Sequence, residues 1–410
     1  MGGRLAGGRM STRRRLEVFF GVLALIVVCG IVAQLTARSA SSGSSNTASA
    51  AGTAVGIRAD IGACGIGWKD PRPGTETFAV TNTSTEGMEV YLESAKTRAV
   101  YLDIEGIGAG ATASGSATLG DGTYRFVCLP SDADPTVGAR VTVTGKYSDG
   151  AETPGITPVT NNELIPAAKA YTSWVAGRLP VLQTQVGLLV SAVDAGDIPQ
   201  AEQAWLAAHE TYETLGAAYD AFGDYDTKIN ASPVNGQSAL TDPSLTGFHK
   251  IEALLWSGAS AQSTAPYASG LADDVAGLRT WFAGQEITPL DMGVRAHEIL
   301  ENALQFELTG ADDAGSGTTL ATVDANITGT DEALAPLHGI LVSRDPELAQ
   351  TQAWLNRTQQ LIESYRNAQG VWEPLTDLTT TQREQIDADV DQTLELLSRV
   401  AAICDPRRSA

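Results

Sequence analysis

The stretch WLAAHETYETLGAAYDAF, residues 205–222, decides the fold class of the larger part of this chain. Its apolar residues recur at alternating steps of three and four, at Trp205, Ala208, Tyr212, Leu215, Tyr219 and Phe222. This spacing places them along one face of a helix and is typical of a helical-bundle seam. Asp197 and Pro199 form a start signal for that helix.

Helical periodicity continues on both sides of this stretch. We predict further helices at about 163–195, 247–257, 271–283, 289–309, 331–343, 346–368 and 379–403. This half of the chain contains no β-type run of note. The pattern therefore predicts an all-α helical bundle over residues 163–405.

Residues 56–147 have a different pattern. Runs such as MEVYLESA and ARVTVTGKY alternate in polarity, are rich in β-branched and aromatic residues, and are separated by turn residues. They predict a small antiparallel β-sandwich. Residues 148–162, which contain two prolines and two glycines, are predicted to link it to the bundle.

The N-terminal part of the chain is predicted to contain a membrane segment. Residues 1–15 are rich in arginine, and residues 16–36 are almost entirely apolar and long enough to span a bilayer as a helix. The basic flank keeps this end in the cytoplasm. We predict an uncleaved anchor, with a cleaved signal peptide as the alternative. Residues 37–55 are small and polar, which predicts a flexible tether.

The chain is acidic, with a formal net charge of -21. Such a surface repels phosphate backbones, so we predict no nucleic-acid partner and a preference for cations. Export would place Cys64 and Cys128 in an oxidising compartment, where we expect them to form a disulfide, with two buried thiols as the alternative.

The four histidines all lie in the helical half, and three are at ligand spacing from a carboxylate. The pairs are His249 with Glu252, His209 with Glu213, and His297 with Glu301. Each pair projects from one helical face. Faces of this kind that meet inside a bundle form metal sites built from carboxylates and imidazoles, whereas internal salt bridges are the alternative. His338 has no such carboxylate, and we interpret it as structural.

Position on the helix adds to the argument for one pair. His297 and Glu301 share a stripe with Leu290, Val294, Leu304 and Leu308, so they are predicted to interrupt a buried seam. A buried carboxylate there requires a counter-charge, a hydrogen-bond network or a metal. His209 and Glu213 each lie one residue beyond a seam position, and so either border a cleft or face water.

Several catalytic classes lack their motifs in this chain. HETYE and HEILE begin like the zinc-protease motif but have no second histidine at the required position. There is no glycine-rich phosphate loop and no G-x-S-x-G elbow. The sandwich contains no histidine, which argues against a blue-copper site.

The segment TGFHKIEALLW, residues 246–256, resembles the G-x-H-x-x-E signature of the imelysin-like family. The segments AWLAAHETYETLGAAYDAFGDYDTKIN and RAHEILENALQFELTG are similar to the EfeO branch of that family. The resemblance implies a helical metal-binding domain that follows a cupredoxin-like sandwich.

The resemblance also implies a set of metal ligands. They are His249 and Glu252 of the signature, Glu213 from the preceding helix, and Glu301 with its neighbour His297. A further family acid falls at position 230, where this chain has Asn230, and Asp226 is the candidate replacement. The implied ion is iron, as Fe²⁺ or Fe³⁺, and zinc is an alternative in vitro.

The function that the resemblance implies is iron capture outside the cytoplasm. Such a protein is not an enzyme: it passes iron to the permease of an EfeUOB-type uptake system, with a haem peroxidase as a second partner. The N-terminal segment would tether it to the membrane, or it would be secreted after cleavage. The alternatives are a metal-dependent peptidase-like enzyme and a metal-free cell-surface interaction module. Because ligand sites favour domain interfaces, we predict that the metal cleft faces the sandwich.

Overall fold

The computed structural model describes residues 54–234 and 237–408. The predicted basic segment (1–15) and anchor or signal (16–36) lie outside the described residues, as does most of the predicted 37–55 tether. Within the described ranges, no helix combines the length and apolarity needed to cross a bilayer.

The first part of the described chain is a sandwich of two β-sheets. Its strands are β1 (Val55–Asp60), β2 (Ala63–Ile66), β3 (Gly74–Asn82), β4 (Met88–Ser94), β5 (Val100–Ile107), β6 (Thr112–Leu119), β7 (Gly122–Pro130), β8 (Thr136–Val137) and β9 (Val141–Val143). One sheet has the order β2-β1-β3-β6, and the other has the order β5-β4-β7-β8, with β9 also paired to β7. The predicted sandwich is confirmed, although β1 and β3 run parallel where we expected only antiparallel pairs.

The core of the sandwich is aromatic and is closed by a disulfide. Trp68 packs edge to face on Phe78 and Phe126, with ring centroids 5.3 and 5.8 Å away. Cys64 on β2 is bonded to Cys128 on β7, which covalently joins the two sheets. The predicted disulfide is confirmed.

The second part of the described chain is helical, which confirms the predicted fold class. Its helices are α1 (Asn161–Ala195), α2 (Ile198–Glu213), α3 (Tyr219–Phe222), α4 (Asp224–Asn230), α5 (Gly247–Trp256), α6 (Ala261–Phe282), α7 (Pro289–Asn302), α8 (Thr319–Leu334), α9 (His338–Leu341), α10 (Leu348–Glu363) and α11 (Thr380–Ile403). Short 3-10 turns at Gly216–Ala218, Ala335–Leu337 and Leu375–Asp377 and a π-helical turn at Ala303–Glu307 complete it. The domain boundaries at residues 147 and 163 stay predictions.

The long helix α1 organises the bundle. Thr160 caps its start in a reciprocal capping box with Glu163, and Gly196 ends it in the left-handed conformation at φ 71°. Its apolar stripe, which includes Leu179 and Val186, is fully buried and packs against α2 and α6. Burial of such a stripe supplies most of the stability of a helix in a protein.

The helix predicted from the 205–222 stretch is broken after Glu213. The chain passes through the 3-10 turn Gly216–Ala218 before α3 begins. A Cβ at Gly216 would lie 2.8 Å from Cγ1 of Ile299, so glycine lets α7 approach the turn closely. The seam residues Trp205 and Phe222 remain buried on either side of the break.

The segment after α11 connects the helical domain to the sandwich. The guanidinium Nε of Arg407 lies 2.9 Å from Oδ2 of Asp103, on β5. Arg408 donates to the backbone carbonyls of Leu129 and Pro130, at the end of β7. Residues that follow the whole bundle in sequence therefore bind the domain that precedes it.

Candidate metal centre

The glycine of the TGFHKIE segment positions the histidine helix. Gly247 begins α5 at φ +74°, and a Cβ there would lie 2.1 Å from the carbonyl oxygen of Ile229. Only glycine accepts both that conformation and that contact. The start of α5 can therefore abut the end of α4, which places His249 in the interior, where its side chain is 4% exposed.

Glu213 is buried at the end of α2, where two amides donate to it and an imidazole lies close by. Asn230 donates its amide to Oε1 at 2.7 Å, and Asn326 donates to Oε2 at 2.9 Å. Nε2 of His209 lies 3.2 Å from Oε1. Burial raises the pKa of Glu213, but His209 and the two amides outweigh that effect and hold the pKa below its ordinary value. Glu213 is thus held as a buried carboxylate.

His249 and Glu252 form a second buried pair. Nδ1 of His249 lies 3.4 Å from Oε2 of Glu252, and Oε1 of Glu252 accepts backbone N–H groups from Ala314 and Ser316, each at 3.0 Å. Burial opposes both charges, yet the pair raises the pKa of His249 and lowers that of Glu252. The two histidine rings, His209 and His249, meet edge to face with centroids 5.6 Å apart.

Two acids that we did not predict lie between these pairs. Glu307 ends the π-helical turn after α7, and Asp312 follows in the next loop, where it accepts from the hydroxyl of Ser232 at 2.6 Å. Burial and the neighbouring carboxylates, among them Glu213 and Asp312, raise the pKa of Glu307 well above its ordinary value. π-helical turns occur often at functional sites. In the sequence, the acidic run after FELTG was a signal for Asp312, and Glu307 had none.

Two cavities are lined by these residues. The larger, about 310 Å³, is bordered by Glu213, Asn230 and Asn326, and the smaller, about 10 Å³, by His209 and Glu252. Glu307 and Asp312 line both. The smaller space holds roughly one water-sized sphere, the scale of a single ion. The imidazole of His209 and the carboxylates of Glu213, Glu252, Glu307 and Asp312 thus border two adjacent cavities, a setting suited to a bound cation.

Asp226 and Asn230 line the larger cavity in place of the expected acid. Asp226 accepts the hydroxyl of Tyr212 at 2.6 Å, and burial raises its pKa. Asn230 donates its amide N–H to Glu213, and its carbonyl oxygen Oδ1 has no hydrogen-bond partner. Asp226 therefore enters the cavity wall as a hydrogen-bonded acid.

His297 and Glu301 are not brought to this site. Nδ1 of His297 lies 3.7 Å from Oε2 of Glu301, and their side chains are 23% and 41% exposed. Neither lines the cavities that Glu213 and Glu252 line. The predicted buried stripe on α7 is wrong, because Leu290 is 46% exposed. The buried face instead consists of Met292, Gly293, Ala296, Ile299 and Leu300.

The cavities do not lie at the domain interface. All their lining residues come from the helical domain, whereas the described contacts of Arg407 and Arg408 with the sandwich are made elsewhere. Our prediction of a cleft facing the sandwich is therefore not supported. Gly247, rather than a domain boundary, shapes the site.

A separate cluster of acidic residues lies in the sandwich. Metal sites use His, Cys, Asp and Glu side chains as ligands. Among the described residues, one group of three such side chains has its ligand atoms all within 4.8 Å of one another, and it consists of Glu89, Asp103 and Glu105. Arg407 contacts Asp103 at 2.9 Å, and burial raises the pKa of Asp103 to about 7. The ligands in the bundle are farther apart, so coordination there requires rotation of carboxylate side chains.

Comparison with known proteins gives the family of this chain. The family model described as imelysin (peptidase M75) matches residues 167–400. The chain is 26% identical over 332 residues to the iron uptake system component EfeO of Yersinia pestis, covering 80% of this chain and 85% of that protein. The EfeO of Escherichia coli K12 is 24% identical over 333 residues, covering 80% and 86%. The chain belongs to the imelysin family.

Proposed function

We propose that the helical domain binds iron through His249, Glu252, Glu213 and Glu307. The observation that carries this proposal is the meeting of two buried histidine–glutamate pairs around cavities that Glu307 and Asp312 also line. Relatives named as iron uptake system components support iron as the cargo. In this proposed set of ligands, Glu307 takes the place of Glu301 and His297, which the sequence alone suggested.

The chemistry of the donors suits iron. Imidazole nitrogen and carboxylate oxygen together bind iron, and they also accept zinc. An acidic chain concentrates cations near its surface and so assists capture. The larger cavity, which is wider than an ion, leaves room for exchange of the cargo with a second protein.

We also propose that the protein acts outside the cytoplasm and is not an enzyme. The Cys64–Cys128 disulfide supports an oxidising compartment. The name of the relatives implies other components of an uptake system. We propose a membrane permease as the acceptor of the iron and a haem peroxidase as a second partner, with residues 16–36 as the membrane anchor.

Metal retention tests the binding proposal. The purified protein and its His249→Ala variant are dialysed against Fe(II) without oxygen, against Fe(III) or against Zn(II), and bound metal is measured. We expect the variant to lose at least about tenfold in affinity, as loss of ligand-shell residues does elsewhere. His338→Ala is the matched control, because His338 is exposed at the start of α9. Equal retention by the wild type and His249→Ala would exclude the proposal.

The same preparations separate the alternatives. The family name includes a peptidase, so casein hydrolysis is measured with and without metal. We expect no metal-dependent hydrolysis, because the second histidine of the zinc-protease motif is absent. If the pairs are only internal salt bridges of an interaction module, the wild type will retain no metal.

A further inference from the structure

His209 is a buried imidazole without a hydrogen bond. Its side chain is 3% exposed, and neither ring nitrogen has a hydrogen-bond partner. Nε2 is 3.2 Å from Oε1 of Glu213, but the contact does not have hydrogen-bond geometry. Burial of a polar group without a partner is costly, and such groups are rare.

Aromatic neighbours fix the position of this ring. It stacks on Trp205 with centroids 4.8 Å apart, and it contacts Phe248 at 5.1 Å. The ring borders the smaller cavity together with Glu252 and Glu307. Packing thus holds an unpartnered imidazole at the wall of an ion-sized space.

We infer that His209 is the second imidazole ligand of the metal site and that it determines which ions the site selects. This inference rests on the proposed function and names its cargo as divalent transition metals, Fe²⁺ and Zn²⁺. A coordinate bond to the ion satisfies the nitrogen that the protein leaves unpartnered. With His249, it gives two imidazoles beside carboxylates, the donor combination found in many Fe(II) sites.

The choice of ion follows from the donors. Imidazole favours iron and zinc, whereas calcium and manganese bind well to carboxylate oxygens alone. Without His209 the smaller cavity keeps the carboxylates Glu252, Glu307 and Asp312. Loss of His209 therefore weakens the binding of iron and zinc and leaves the binding of calcium and manganese nearly unchanged.

Competition binding tests this selectivity. Affinities for Fe²⁺ without oxygen, Zn²⁺, Ca²⁺ and Mn²⁺ are measured for the wild type, His209→Gln and the exposed control His338→Gln. We expect His209→Gln to lose about 10–100-fold for Fe²⁺ and Zn²⁺ and less than about threefold for Ca²⁺ and Mn²⁺. Unchanged Fe²⁺ and Zn²⁺ binding, or an equal loss for all four ions, overturns the inference. If the wild type binds neither Fe²⁺ nor Zn²⁺, the proposed function itself fails.

A second measurement does not require the His209 variant to fold. The chain contains four histidines, so the double variant His297→Gln with His338→Gln retains only His209 and His249. Cu²⁺ is bound to it, and electron spin echo modulation counts the coordinated imidazoles. Two coupled imidazoles support the inference, and one or none overturns it.

Discussion

Replacement of Asn230 by aspartate places a second carboxylate against Glu213. The amide nitrogen of Asn230 lies 2.7 Å from Oε1 of Glu213, so Asn230→Asp exchanges a donor for an acceptor at that distance. Two unit charges so close repel by about 6 kcal/mol at an effective dielectric constant of about 20. Rotation of the new side chain and uptake of a proton reduce this value. We expect the metal-free variant to lose about 3–5 kcal/mol of unfolding free energy at pH 7.

Urea denaturation in the presence of a chelator measures this loss, and saturating Zn²⁺ provides the comparison. A bound cation neutralises the added charge and gains a carboxylate ligand, so we expect most of the loss to disappear when metal is present. Asn302→Asp is the matched control, because Asn302 lines the same cavity but is exposed and makes no described contact with Glu213. It should change the stability by less than about 0.5 kcal/mol.

The dependence on pH decides whether charge is the cause. Near pH 4 the carboxyls of the variant take up protons, and the difference from the wild type should shrink. A loss that is the same at pH 4 and pH 7, or the same with and without Zn²⁺, would show that packing, not repulsion, is responsible. That result would refute the electrostatic account of the site.

Three further predictions concern stability. Reduction of Cys64–Cys128, whose partners are 64 residues apart, should destabilise the sandwich by about 4 kcal/mol in urea melts; a loss below 1 kcal/mol contradicts this. Lys250→Met removes an ammonium that donates to three backbone carbonyls and should cost about 2–4 kcal/mol by thermal denaturation, whereas exposed Lys169→Met should cost little. Burial and neighbours such as Glu213 raise the pKa of Glu307 above its ordinary 4.5. The protonated Glu307 side chain therefore contributes its full stabilisation of the folded protein below pH 4.5. This contribution to the unfolding free energy is lost as pH rises through the folded-state pKa, at up to about 1.4 kcal/mol per pH unit. In metal-free urea titrations Glu307→Gln should remove this pH dependence of the unfolding free energy. An unchanged pH dependence would contradict the prediction.

The sequence predicted the class of each domain because periodicity reports the buried face of regular elements. The stripe from Trp205 to Phe222 is buried as expected, except that Tyr219 is only half-buried. On α7, however, large apolar residues such as Leu290 are exposed, and the buried face includes Gly293 and Ala296. A Cβ at Gly293 would lie 2.4 Å from that of Cys404, so close packing of α11 selects small residues there. A pattern that weights large side chains misses the contribution of these small residues to the buried face.

Tertiary contacts also override local preference at α8. Its first twelve residues, TLATVDANITGT, are rich in β-branched residues that favour strands, and we predicted helix only from residue 331. Buried contacts, including those of Leu320, Val323 and Ile327, hold it as a helix from Thr319. Propensity is a weak prior where a segment is enclosed on most sides.

From the sequence, the only part of the metal site that could be predicted was the two histidine–glutamate pairs that each lie on one helix. His249 with Glu252 and His209 with Glu213 follow from spacing on one helix. Glu307 could not be found in this way, because the π-helical turn at Ala303–Glu307 shifts the direction of every side chain after it. Asp312 lies in a loop, where no periodicity applies.

The contacts of Arg407 and Arg408 with the sandwich set an order of assembly. The sandwich is made first, yet the residues that fasten it follow the whole helical domain. During synthesis these contacts form only after α11 has been made. Until then Arg407 and Arg408 do not hold the sandwich to the helical domain, so we expect a protease to cut chains that end before Arg407 faster than full chains near the predicted 148–162 linker.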